Sequence, residues 1–150
     1  MPARYASVRV HLVWATKRRQ PWLDPAWRPR LFGVIAMAVE RRGGTLLCAG
    51  GVRDHVHLYV ELPTTLSVSD MVTSIKTTSS RWVRRTVADR SGFEWQGGYA
   101  AFSVNPVDDR ELRAYIRTQE LHHRERDFPD EYTALLVGHG ILFDPRRALD

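Results

Sequence analysis

The sequence predicts an α+β domain in which one antiparallel sheet carries helices on a face. Three observations lead there. Segments rich in β-branched and aromatic residues alternate with segments of helical apolar spacing, their order reads β-α-β-β-α-β with a further helix behind, and no linker, repeat or low-complexity tract interrupts the 150 residues. A chain of this length with 43% hydrophobic residues suits one compact domain, burying about 70% of the surface of its unfolded chain.

Residues 5–16, YASVRVHLVWAT, read as the first strand, closed by the basic TKRRQ loop and the P-W-L-D-P turn. Residues 26–41 place Leu31, Ile35, Ala38 and Val39 at helical spacing, and Arg42-Gly43-Gly44 stops that helix. TLLCAGGV (45–52) and HVHLYVEL (55–62) form two strands joined by the short Arg53-Asp54 connection of a hairpin. Ser67 then caps a second helix, with Asp70 in a capping-box arrangement. Its apolar stripe of Val68, Met71, Val72, Ile75, Ser79 and Trp82 leaves Lys76, Arg81, Arg84 and Arg85 off the core face. YAAFSVN (99–105) is a fourth strand, and Pro106 with Asp108 and Asp109 opens a third helix that runs to about Arg124. This is the split βαβ, or ferredoxin-like, layout. The sheet face opposite its two main helices is available for chemistry.

Charge and composition narrow the classes of function. The formal charge is +5, and residues 1–60 carry 10 Lys/Arg against 3 Asp/Glu, so the positive field belongs to the N-terminal part. TKRRQ (16–20) and SRWVRR (80–85) are its densest clusters, with Trp14, Trp22, Trp27 and Trp82 in or near them. Cations interleaved with aromatics suit a single-stranded nucleic acid, whose phosphates they neutralise and whose unpaired bases can stack. The longest apolar run, LFGVIAMAV (31–39), is far short of a membrane span, and the N-terminus has no apolar core of a secretory signal, which points to the cytoplasm. A lone Cys48 excludes an intramolecular disulfide and cysteine-only zinc sites, leaving His, carboxylate or amide groups for any metal. Neither a G-x-x-x-x-G-K-[ST] loop nor a G-x-G-x-x-G turn is present, so no nucleotide cofactor is expected.

The stretch GVRDHVHLYVE (51–61) carries the strongest chemical signal. In a strand His55, His57, Tyr59 and Glu61 project to one side and Val56, Leu58 and Val60 to the other. Two imidazoles on one face can reach a single metal ion or a single phosphate. In AYIRTQELHH (114–123), Tyr115 and Gln119 lie one helical turn apart on a common face, with Leu112 and Ile116 as the apolar anchor.

The D-H-V-H-L-Y-V strand (54–60), the earlier H-L-V-W-A-T-K-R-R (11–19), I-K-T-T-S-S-R (75–81) and the late Y-I-R-T-Q (115–119) together resemble the single-tyrosine HUH transposases, including the repeat-associated tyrosine transposases. The resemblance spans residues 5–124 in order. It implies one HUH domain over 1–150, with a core of about 5–124 and a C-terminal extension of about 125–150. It further implies a dimer that cuts and rejoins single-stranded DNA at the hairpin-forming ends of insertion sequences or repeats through a 5′-phosphotyrosine intermediate. By position, His55, His57 and Gln119 are then ligands of a divalent metal, Mg²⁺ or Mn²⁺, and Tyr115 is the nucleophile. Lys17, Arg18, Arg19, Arg53, Lys76, Arg84 and Arg85 are DNA-contact candidates, chosen for charge and position. His11 is expected to make a structural hydrogen bond beside the site, Glu61 is an alternative ligand to Gln119, and His122 and His123 are left outside the metal set. The acidic, partly apolar DFPDEYTALLVGHGILFD (127–144) is expected to pack on the dimer or to cover the site. The competing readings are a non-catalytic single-stranded nucleic-acid-binding module, a domesticated repeat-processing nuclease and a metal-dependent phosphoesterase.

Overall fold

The computed structural model describes residues 2–122 and 126–150. Four strands, β1 (Arg9–Ala15), β2 (Thr45–Gly51), β3 (His55–Glu61) and β4 (Ala100–Ser103), form one antiparallel sheet in the order β2-β3-β1-β4. Helices α1 (Arg28–Arg41) and α2 (Val68–Thr86) follow β1 and β3, and α3 (Asp109–Arg117), α4 (Gln119–His122) and α5 (Phe128–Gly138) come after β4. This strand order is that of the ferredoxin-like layout.

Each element sits where its local chemistry puts it. Leu31, Ile35, Ala38 and Val39 are the apolar residues that α1 buries, and Gly43, at φ 83°, makes the left-handed turn that ends the run. The Ser67 hydroxyl accepts from the Asp70 backbone N–H at 3.1 Å, capping α2. That helix buries Met71, Val72, Ile75, Ser79 and Val83, while Trp82 only packs partly against the core. Between α1, α2 and the sheet lie Leu12, Trp14, Val56, Leu58 and Val60, the alternate residues of the two central strands.

The opposite face is covered as well. On it Phe128, Tyr132 and Leu136 of α5 join Val13, Ala15, Ala100 and Phe102 in a second apolar cluster, where a Val, Leu or Phe side chain contributes about 1.5–3 kcal/mol when fully buried. Both central strands are consequently buried on both sides, apart from their ends at Arg9 and Glu61. The helix expected to run from Asp109 to about Arg124 is instead broken at Thr118 (φ −107°, ψ 28°), which separates α3 from α4. The Thr118 hydroxyl donates to the Ala114 carbonyl at 2.8 Å, a local bond that competes with helix continuation. Its expected end, Arg124, lies outside the described residues.

One glycine sets how closely α3 approaches the sheet. A Cβ on Gly50 would stand 2.1 Å from the Ile116 carbonyl oxygen of α3, whereas one on Gly33 of α1 would meet nothing within 4 Å. Gly50→Ala is therefore expected to lower the free energy of unfolding by about 1–3 kcal/mol through overpacking. Gly33→Ala should leave it unchanged or raise it by up to about 1 kcal/mol. Chemical denaturation of both variants checks the contrast.

Candidate metal and tyrosine site

The polar face of β3 is closed off from water. His55 and His57 are both fully buried, and burial of a polar ring demands partners. Asp54, immediately before the strand, holds His55 Nδ1 at 2.8 Å. His11 stands on the neighbouring β1, two pairs further along the ladder and on the same face, and its Nε2 shares a hydrogen bond of 2.8 Å with His57 Nδ1. With each Nδ1 engaged, the Nε2 atoms are the inward edges of both rings, the arrangement by which outer hydrogen bonds orient metal-binding imidazoles.

Those Nε2 atoms face two oxygen-bearing side chains. Gln119, at the start of α4, brings Oε1 to 3.3 Å from His55 Nε2 and donates its amide to the Tyr115 carbonyl at 3.2 Å. Glu131, from α5, brings Oε1 to 3.3 Å from His55 Nε2 and 3.0 Å from His57 Nε2. Phe128 seals the cluster by stacking on the His55 ring, with centroids 4.2 Å apart. His55, His57 and Glu131 each present a ligand atom within 4.8 Å of the others.

Tyr115 meets the same cluster from α3. Its half-buried ring lies edge-on to His57 at 5.5 Å and to His11 at 6.3 Å between centroids. Its hydroxyl donates to the second carboxylate oxygen of Glu131. The helix is held from its N-terminal end. There the Tyr59 hydroxyl donates to Asp109 at 2.9 Å, Arg113 donates to the same carboxylate at 2.9 Å and to the Leu47 carbonyl at 2.8 Å, and Arg9 reaches Asp109 at 3.3 Å.

The electrostatics follow from burial and from that carboxylate. Burial pushes the His11 pKa down to about 3, helped by the neighbouring His57 ring, so His11 is neutral and its Nε2 can accept the Nδ1–H of His57. Burial works against a charged His55, but the hydrogen bonds to Asp54 and Glu131 outweigh it and raise its pKa. Burial likewise opposes ionisation of Glu131, yet hydrogen bonds from His55, His57 and Tyr115 hold its pKa well below the usual carboxylate range. The Tyr115 phenol is raised by burial and then by Glu131. The result is a buried carboxylate and two imidazoles converging with an amide oxygen. This nitrogen and oxygen donor set fits a divalent cation.

The other expected residues are distributed unevenly. Glu61, proposed as an alternative ligand, lies at the far end of β3, 3.4 Å from Arg9 and away from the imidazoles, because the strand advances past the site before reaching it. Arg19 and Arg53 line a groove of about 610 Å³ that opens beside Asp54 and Phe128. Lys17, Lys76 and Arg84 line a second groove of about 460 Å³ with Trp95. Within it the Lys76 ammonium is engaged by the Gln96 and Gly98 carbonyls at 2.8 and 2.7 Å, Lys17 pairs with Glu94 at 3.0 Å, and Arg84 donates to the Phe93 carbonyl at 3.2 Å. Arg18 and Arg85 are exposed. Trp14 and Trp27 are buried, and Trp22 and Trp82 each lie beneath an arginine, so the aromatics expected to stack on bases belong largely to the core. The His122 side chain and His123 lie outside what is described.

Sequence reasoning missed Glu131. Its signal was present: Phe128, Glu131, Tyr132 and Leu136 share one face of α5, so an acidic residue stands among the apolar ones and had to meet something polar.

Comparison with known proteins gives the same direction as the geometry. Residues 4–119 match the family model described as "Transposase IS200 like". No curated protein matches the chain. Among solved structures, a putative transposase from Deinococcus radiodurans R1 is 21% identical with a TM-score of 0.64, the match covering 77% of this chain and 93% of that one. A REP-associated tyrosine transposase bound to a REP hairpin is 17% identical with a TM-score of 0.59, covering 82% and 74% respectively. At these identities the two structures show a shared fold.

The neutral His11 has a measurable consequence. Between pH 6.5 and about 3 the unfolded chain takes up a proton that the folded His11 refuses, so its contribution to stability is present above pH 6.5 and is lost on acidification toward pH 3. The slope is up to about 1.4 kcal/mol per pH unit. Denaturation of wild type and His11→Phe at a series of pH values should show a shallower acid dependence in the variant. An equal slope would mean His11 titrates normally.

Proposed function

The chain belongs to the IS200-like transposase family, and on that premise we propose that it is a metal-dependent strand transferase that cuts and rejoins single-stranded DNA through Tyr115. The observation that carries this reading is the convergence, within one chain, of the Tyr115 hydroxyl and both imidazole Nε2 atoms on the Glu131 carboxylate. A phosphodiester seated beside that carboxylate would lie against the nucleophile and the metal ligands at once.

In the proposed reaction Tyr115 Oη gives up its proton and attacks phosphorus, the P–O3′ bond breaks, and the downstream segment stays on the tyrosine through its 5′-phosphate while the upstream segment leaves, its O3′ taking up a proton as a 3′-hydroxyl. One phosphodiester replaces another, so the 3′-hydroxyl of a second end can reverse the step without a nucleotide cofactor. His55, His57 and Gln119 would hold the divalent cation, Mg²⁺ or Mn²⁺, with Asp54 and His11 fixing the two rings. When bound, the cation supplies Lewis-acid polarisation of the phosphate and stabilises the leaving oxygen. Holding α3 through Asp109 and Arg113 keeps the Tyr115 ring beside His57, which is the positional part of the catalysis.

The substrate is proposed to be single-stranded DNA from hairpin-forming element or repeat ends. The neighbour bound to a REP hairpin, the groove of Arg19 and Arg53 beside the site and the second basic groove of Lys17 and Arg84 support that choice. Arg18, Arg19, Arg53 and Arg85, together with Lys17 and Arg84 once their partners are exchanged for phosphate, are the proposed contacts. Lys76 can serve only by releasing two carbonyls. We further propose a cytoplasmic homodimer of one HUH domain with a C-terminal extension, each subunit carrying a complete site. Among the described residues no helix is long and apolar enough to cross a membrane.

Incubating a dye-labelled hairpin strand with protein and Mn²⁺ is expected to yield a covalent adduct that Tyr115→Phe abolishes while binding stays within about twofold. Binding without an adduct under Mg²⁺ or Mn²⁺ would leave a non-catalytic binding module. A mixture of Tyr115→Phe and His57→Ala should stay inactive, since neither variant holds a full site; recovered adduct would mean that sites form between subunits. Arg18→Ala/Arg19→Ala should reduce the salt dependence of DNA binding by about 1–2 in log–log slope, read by fluorescence anisotropy.

A further inference from the structure

We propose that Glu131 is itself a ligand of the divalent cation and that α5 is thereby a working part of the metal site. The inference rests on the metal-dependent reading above and adds to it a donor from outside residues 4–119, the segment that matches the family.

The geometry is that of a ligand set. Ligands at right angles around a cation with bonds of about 2.1 Å stand about 3.0 Å apart. Glu131 Oε1 lies 3.0 Å from His57 Nε2 and 3.3 Å from His55 Nε2, and Gln119 Oε1 lies 3.3 Å from His55 Nε2. Glu131 is 3% exposed, so its carboxylate has no solvent alternative to this cluster. Phe128, Tyr132 and Leu136 seat α5 from the same face, and the Asp127 carboxylate caps its start by accepting from the Asp130 N–H at 3.2 Å. The helix thus aims the carboxylate by its own packing.

Two consequences follow. A set of two imidazoles and an amide is neutral, and a carboxylate adds one negative charge, which tightens binding of a divalent ion by oxygen-preferring coordination. The second oxygen of Glu131 accepts from Tyr115, so one residue would fix the cation and the nucleophile relative to one another. Metal binding and closure of α5 over the site are then coupled: each stabilises the other by the same free energy.

The opposite reading is that Glu131 fills the position of the cation or phosphate and must leave before either binds. The two differ in sign. Mn²⁺ binding to the full chain, measured by titration calorimetry, should weaken at least about tenfold in Glu131→Gln, which keeps the size of the side chain; equal or tighter binding overturns the proposal. Hydrogen exchange on the wild type, which needs no variant, should show residues 128–138 better protected with Mn²⁺ than without. Unchanged or lower protection overturns it independently. If Glu131→Gln binds like wild type but His57→Ala does not bind, only this inference fails and the metal-dependent reading stands. If wild type binds no Mn²⁺, both fail.

Discussion

Two imidazoles buried on a strand that is covered on both faces must find hydrogen-bond partners, and that requirement organises the rest of the molecule. An unsatisfied buried polar group costs about 1–3 kcal/mol. Asp54 and His11 satisfy the outer nitrogens, and Gln119 and Glu131 meet the inner ones. Remove the cover and the same residues would face water with no need of one another. The second apolar cluster, built around α5, is what creates the demand.

Placement of the tyrosine is a matter of backbone approach as much as of side chains. Gly50 lets the Ile116 carbonyl come against β2, and the Asp109–Arg113 pair ties the start of α3 to Tyr59 and to Leu47 of the sheet. Tyr115, between those two anchors, has little freedom. Its hydroxyl is directed to the carboxylate that the imidazoles also share. Preorganisation of this kind suits the strand transfer proposed for Tyr115, in which the bond made and the bond broken are alike and most of the catalytic advantage would lie in position and charge.

Much of this was legible in the sequence because it rests on local periodicity. The alternation in DHVHLYV fixes which residues share a face, Ser67 announces its helix, and the four-residue spacing of Tyr115 and Gln119 places both near the imidazoles even though Thr118 divides the helix between them. Other features depend on tertiary contact, which local periodicity does not specify. Glu131 lies 74 positions after His57: its place on the apolar face of α5 says that it must meet something polar, but not that its partners are His55 and His57. Charge counting could not tell a free cation from one already spent: Lys76 is written into the loop at Gln96 and Gly98. Nor could it separate core tryptophans from stacking ones, since Trp14 precedes the basic Lys17-Arg18-Arg19 run by three residues and is fully buried in space.

A crystal structure of the chain grown with Mn²⁺ tests the central claim most directly, because anomalous scattering locates the ion independently of the refined ligands. The account predicts one ion on the Nε2 atoms of His55 and His57, with the oxygens of Gln119 and Glu131 beside it and the Tyr115 hydroxyl turned toward it. An ion bound elsewhere, or a Tyr115 hydroxyl remote from an ion held by the two histidines, would contradict it.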